Sequence, residues 1–339
     1  MSPGSGRGRP PKRTGASPNR GTGAGRPAGQ RASSAGAGRG GAPKAARPAP
    51  ARSGAGRGAP GRDGARRGDD RRGDDRERPG GRRGTEGAGL GGEQVEGRQA
   101  VRELLQANRR RVKQLLMAEG MDPAPILDEI DDLAVRRRVK VERVSRRRID
   151  QVARTEGAQG VVALAAPVEE TALEKLCEPT RGGRRPFLLV LDGITDPHNL
   201  GAVLRSAECA GVTGIVLPRH RSAHLSPTVA KVAAGAIEYL PMALVAGVPT
   251  ALQQLSSLGV VTVGLVGEAP TSLYDLPLGD QPVALVLGSE GSGLAALTRR
   301  RCDELAAIPQ HGTLSSLNVA TAGAIACFDV ARQRSATGG

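Results

Sequence analysis

The chain has 339 residues, a formal net charge of +15 and only four aromatic residues, Phe187, Tyr239, Tyr274 and Phe328, with no Trp. Residues 1–90 carry 21 Lys and Arg against 7 Asp and Glu, whereas residues 91–339 carry 28 against 27. The first 90 residues also hold 24 of the 49 glycines and no Val, Ile, Leu or Phe before Leu90, which excludes a single globule of full length.

Residues 1–92 therefore read as a disordered basic arm rich in Gly, Arg, Pro and Ala. Guanidinium groups on a flexible backbone attract phosphates and release counterions, giving sequence-independent affinity for RNA or DNA; a solvated tail is the plainer reading. Two G-x-G-x-x-G matches, at Gly36, Gly38, Gly41 and at Gly87, Gly89, Gly92, follow no apolar strand and so are not a dinucleotide fingerprint. No run of about 18 apolar residues is present, and the amino terminus lacks the apolar core of a secretory signal, so a cytoplasmic protein is expected. The four cysteines contain no C-x-x-C pair, and His198, His220, His224 and His311 have no zinc-ligand spacing, so no metal is expected.

A small α/β unit is expected over 93–168. GRQAVRELL puts Ala100, Val101, Leu104 and Leu105 at helical spacing. Strands are predicted at 112–118, 139–144 and 159–166, with helices near 123–134 and 145–153, the latter capped by Ser145. Three arginine triplets, 109–111, 136–138 and 146–148, mark either solvated faces or an RNA-facing surface. A linker at 169–186 ends in the Gly, Pro and Arg of EPTRGGRRP.

Over 187–335, FLLVLDG, TGIVLP, VVTVGLVG, PVALVLG and ELAAIP are buried-strand runs. Helical stretches at 199–211, 226–238, 249–258, 293–302 and 316–333 alternate with them. This pattern predicts an α/β fold with a parallel sheet and helices on both faces, whose ligands bind beyond the carboxyl ends of the strands. Three segments after strands carry candidate chemistry. Asn199 and Arg205 follow the first, with Arg205 about 9 Å further along the helix and long enough to reach back. Gly288, Gly291 and Gly293 surround Glu290 in GSEGSGL, and Ser315, Ser316 and Asn318 stand at a helix start. Each alone is compatible with turn and cap chemistry, Asn199 being either a cap, a functional group or both.

Taken together and in order, NLGAVLRSA, LVLGSEGSGL and IPQHGTLSSLNVATA resemble the three motifs of the SpoU family of RNA ribose 2′-O-methyltransferases. GRQAVRELL through QGVVALAAP, residues 97–167, resembles the amino-terminal RNA-binding domain of the family's ribosomal-RNA guanosine branch. The resemblance implies a trefoil-knotted sheet, S-adenosylmethionine as methyl donor, and a homodimer whose sites combine residues of both subunits. It further implies catalytic roles for Asn199, Arg205, Glu290, Ser316 and Asn318, and cofactor contacts, largely through backbone, at Gly288, Ile308 and Leu317. Glu290 is expected to orient Arg205 or a loop. The chain departs from the pattern in reading Asn318, Val319, Ala320 where relatives often have N-V-S, and in placing His311 where an apolar residue is more usual.

The implied activity is methylation of the ribose of a guanosine in large-subunit ribosomal RNA. Transfer-RNA methylation, an adenosine-directed resistance methylation and a non-catalytic RNA-binding assembly factor are the alternatives.

Overall fold

Period-two alternation builds two sheets, each with apolar clusters on both faces. The computed structural model describes residues 89–220, 222–279, 281–314 and 316–337, all within one compact unit, Glu77–Gly339. The basic arm as far as residue 88, and Ser315, lie outside the described residues.

The smaller sheet is formed by β1 (Gln94–Glu96), β2 (Val112–Ala118), β3 (Val141–Val144) and β4 (Val161–Ala165), in the order β1-β4-β2-β3. Its pairs are antiparallel except β2 with β3. Helices α1 (Arg98–Ala107) and α2 (Pro125–Arg137) join Leu115, Met117, Val161 and Ala163 in one core. On the opposite face Leu116, Ala118 and Val162 meet Ile149 of α3 (Arg146–Val152). Successive residues of β2 thus alternate between two cores, as side chains of a strand must. Ser145 caps α3, its hydroxyl accepting from the Arg148 N–H at 3.3 Å.

A short helix, α4 (Leu173–Leu176), leads to the larger sheet. This has β5 (Phe187–Asp192), β6 (Gly214–Pro218), β7 (Met242–Val245), β8 (Val261–Leu265), β9 (Thr271–Ser272), β10 (Val283–Gly288) and β11 (Glu304–Ala307). All pairs are parallel, in the order β7-β6-β5-β10-β8-β11-β9. Phe187, Leu189 and Leu191 face the core shared with α5 (Pro197–Cys209), α6 (Pro227–Val232) and α9 (Val319–Thr337). Leu188 and Val190 face the opposite core with α4 and α7 (Val248–Ser257), while α8 (Ala296–Arg301) lies on the same side through Leu294 and Cys302. Burial on both faces explains why these strands read as continuous apolar runs.

The structure departs from the sequence expectations in several elements. The helix expected over 226–238 stops at Val232, because Ala234 (φ 50°) and Gly235 (φ 94°) turn into left-handed backbone. A single 3₁₀ turn, Ala236–Glu238, follows. Strands β1, β7 and β9, of 3, 4 and 2 residues, are too short to show a period. Leu90, assigned to the arm by composition, is buried, and its carbonyl accepts from the Leu225 N–H at 3.1 Å.

The first arginine triplet is not a single solvated or RNA-facing strip. The Arg110 side chain is only 6% exposed and pairs with Glu238, itself 1% exposed. It also donates to the carbonyls of Gly92 (2.8 Å) and Ala166 (2.7 Å), where the chain enters and leaves the small sheet. Arg137 closes the carboxyl end of α1 by donating to Leu105 O and Gln106 O. Arg136, Arg138, Arg146, Arg147 and Arg148 are exposed. Among the described residues no helix is long and apolar enough to cross a membrane.

Candidate active site

Strands β5 and β10 are neighbours in register, so Asp192 and Gly288 end side by side and their loops leave the sheet together. Beyond these ends, and those of β8 and β11, lies a cavity of about 630 Å³. Its apolar wall is formed by Leu265, Leu287, Leu294, Ile308 and Val319, and its polar groups include Glu290, Gln310, Ser316 and Asn318.

The loop after β10 is a closed backbone turn. Ser289 N–H donates to Gly293 O at 3.0 Å and Gly293 N–H returns a bond to Ser289 O at 2.9 Å. Gly291 and Gly293 have φ of 82° and 65°, left-handed values that L side chains resist. Gly288 is required for a different reason: a Cβ there would run into the backbone of Gly293 and Leu294. The turn is tied to the neighbouring strand by the Ala295 N–H, which donates to the Asp192 carboxylate at 3.3 Å.

Glu290 projects from this turn onto two amides. Its Oε2 accepts from Asn199 Nδ2 at 2.8 Å, and its Oε1 from Asn318 Nδ2 at 3.1 Å. Asn318 Nδ2 also donates to Asn199 Oδ1 at 3.0 Å, closing a triangle of three side chains from three separate loops. Each Asn is fixed by its helix. Asp196 is the cap of α5, its carboxylate accepting from the Asn199 N–H at 2.8 Å, so Asn199 lies in the first turn rather than at the cap position. Asn318 Oδ1 accepts from the N–H groups of Ala320 (2.8 Å) and Thr321 (3.3 Å) at the start of α9.

The eight residues singled out in the sequence divide into three groups. Asn199, Glu290 and Asn318 form the triangle. Gly288, Ile308, Ser316 and Leu317 line the cavity, together with Glu290 and Asn318. Arg205 stands apart: it is exposed, lies outside the cavity wall and has no ion pair or hydrogen bond among the described residues. Six residues at about 100° each place it roughly a third of a turn away from the Asn199 face. Of the two roles expected for Glu290, orienting Arg205 or a loop, the geometry has the second: both its carboxylate oxygens engage amides of other loops, and neither meets Arg205. Sequence reasoning missed Arg299 in the cavity wall and Asp196 as the cap, although Asp-Pro before a helical run is a recognisable start signal.

The model of the SpoU rRNA Methylase family matches residues 186–328, and that for RNA 2'-O ribose methyltransferase substrate binding matches residues 94–171. A Pseudomonas aeruginosa protein named 23S rRNA (guanosine-2'-O-)-methyltransferase RlmB is 45% identical over 246 residues, 71% of this chain and 97% of its own. The chain belongs to the SpoU rRNA methylase family. Its fold is shared with an AdoMet-bound rRNA methyltransferase from Sinorhizobium meliloti, 26% identical, with a TM-score of 0.59 over 70% of this chain and 86% of that one. AviRb of Streptomyces viridochromogenes, in complex with AdoMet, has the same fold at a TM-score of 0.60 and 22% identity, covering 72% and 90%.

S-adenosylmethionine is the methyl donor of this SpoU methyltransferase, and the cavity suits it. A volume of this size, an apolar wall and a few convergent polar groups are what an amphipathic nucleoside requires. The glycine turn brings backbone N–H and C=O groups to the surface of the cavity without side chains in the way.

Proposed function

We propose that this protein transfers a methyl group from S-adenosylmethionine to the ribose 2′-hydroxyl of a guanosine in 23S ribosomal RNA, in the cytoplasm. The observation that carries this reading is the Asn199–Glu290–Asn318 triangle at the edge of the cavity. The P. aeruginosa relative supports the substrate, because this chain spans 97% of it at 45% identity. When bound, the donor supplies an activated methyl group. A ribose hydroxyl is a poor nucleophile at neutral pH, so the chain's own residues must align it and draw off its proton. The triangle holds the loops after β5, β10 and β11 in fixed register. Ser316, exposed in the cavity wall, offers a hydroxyl to substrate or cofactor. Gly288, Ile308 and Leu317 hold the donor, and Arg205 serves the target ribose, either by activating its hydroxyl or by holding the adjacent RNA phosphate.

Two further readings belong to the same proposal. The chain acts as a homodimer, a role to which the exposed Phe328 of α9 and the exposed Arg205 of α5 are suited; a one-chain mass by light scattering removes it. Its sheet carries the family's knot, supported by the insertion of β10 and β11 between strands that precede them in the chain.

The test is transfer of labelled methyl from S-adenosylmethionine to total RNA lacking host modification, followed by mapping of the modified position. One 2′-O-methylguanosine in 23S RNA is the expected outcome. A transfer-RNA site replaces the substrate, and RNA binding without any incorporation, into free RNA or ribosomal particles, makes the protein a non-catalytic assembly factor.

A further inference from the structure

Among the described residues, Arg299 is the one cationic side chain in the cavity wall and Glu290 the one acidic group. Glu290 is already engaged by Asn199 and Asn318. Among the described residues Arg299 makes no side-chain hydrogen bond or ion pair, and it is exposed.

Its position is set by a well-anchored helix. Arg299 N–H donates to Ala295 O at 2.9 Å, the preceding Thr298 is fully buried, and Leu294 and Cys302 clasp the two ends of α8 onto Gly264. At Gly264 a Cβ would lie 2.8 Å from Cys302 Sγ and 2.9 Å from Leu294 Cδ1, so the helix packs this closely on β8 because the position carries no side chain. Arg300 and Arg301, on the same helix, are exposed but do not line the cavity.

We infer that Arg299 holds the carboxylate of the donor's methionine tail. This rests on the proposed use of S-adenosylmethionine and assigns one contact within it. The donor's nucleoside end is apolar enough for the Leu265, Leu287 and Ile308 wall, whereas its amino-acid end carries a carboxylate that loses hydration on entering the cavity. A guanidinium presents paired N–H groups in a planar fork matched to such a carboxylate, and these charge-assisted bonds are about twice as strong as neutral ones. The competing role is structural, since a cation near a helix carboxyl end is favourable to the helix dipole. That role is shared by Arg300 and Arg301 and concerns stability, not ligand choice.

The experiment is calorimetric titration of the full chain with S-adenosylmethionine, S-adenosylhomocysteine and 5′-methylthioadenosine, the last lacking the amino-acid tail. Arg299→Gln weakens the first two about tenfold, the scale of one lost partly exposed charge-assisted contact, and leaves the third within about twofold. Arg299→Lys recovers part of the loss, and Arg300→Gln changes none of the three. Equal affinities in wild type and Arg299→Gln overturn the inference, as does a parallel loss for methylthioadenosine, which makes Arg299 a shaper of the cavity. A loss confined to RNA affinity assigns the charge to RNA phosphate instead. A wild-type chain that binds none of the three overturns the proposed function itself.

Discussion

Glu290 has two acceptor oxygens and each takes an amide from a different loop. Replacing the carboxylate by an amide of the same shape turns one of these contacts into donor against donor. Glu290→Gln is therefore expected to lower kcat/KM for methyl transfer by roughly tenfold to a hundredfold, the equivalent of about 1–3 kcal/mol, while the melting temperature stays close to wild type because the site is exposed. Arg205 is the contrasting case: it makes no ion pair or hydrogen bond among the described residues, so Arg205→Ala is expected to abolish transfer and leave S-adenosylmethionine affinity unchanged, measured by calorimetry. Equal loss of both would show that Arg205 serves the cofactor. At this scale Asn199, Glu290 and Asn318 were legible as an ordered set of motifs, yet their mutual bonding was not, because three loops far apart in sequence meet only through strand order. Arg299 was illegible for another reason. TRRR at a helix end reads as a solvated face, and only the fold shows that one of the three arginines turns into the cavity.

Elements were legible in proportion to their burial. β5 and β10 are buried on both faces and announced themselves as apolar runs, whereas β7 and β9 are short edge-side strands whose existence depends on neighbours, not on pattern. The end of α6 depends on backbone conformation at Ala234 and Gly235, which composition does not specify. The start of β11 illustrates how polar groups set an element's place. Asp303 accepts from the Thr262 N–H (2.8 Å) and hydroxyl (2.7 Å) and from Ser256 (3.0 Å), pinning β11 to β8 and α7. Burial works against its charge, but the bonds from Thr262 and Ser256 outweigh it and hold the carboxyl below its ordinary range. Because the folded pKa is depressed, the unfolded chain takes up protons first on acidification. This contribution to stability is present above the unfolded carboxylate value of about 3.9 and is lost as pH falls through the folded one. Asp303→Asn is thus expected to melt lower than wild type at pH 7, with the difference shrinking as the pH is taken down through the carboxylate range. A pH-independent difference in scanning calorimetry would assign the effect to geometry alone.

For the whole molecule, charge and cohesion are separated along the chain. The segment before Leu90 carries 21 Lys and Arg against 7 acids, whereas Leu90 itself is core. Removing residues 1–88, and sparing Leu90, is expected to leave the melting temperature unchanged while weakening RNA binding most at low salt. An unchanged slope of log K against log salt returns the arm to the role of a solvated tail. Cohesion between the two sheets draws instead on Arg110, whose Nε donates to Glu238 Oε2 at 2.9 Å and whose Nη2 pairs with the same carboxylate, while its Nη1 holds both chain crossings. Tyr239 adds a bond from its hydroxyl to Glu103 of α1 at 2.7 Å, and burial together with that bond pushes the phenol up to about 12, so it stays a donor across the physiological range. Arg110→Met leaves Glu238 buried without its partner, which is expected to cost about 3–5 kcal/mol in urea unfolding, whereas Arg110→Met with Glu238→Leu recovers the part of that loss due to the buried charge but not the part due to the Gly92 and Ala166 carbonyls. A single variant no less stable than the exposed control Arg138→Met would mean that the small sheet does not dock through this pair.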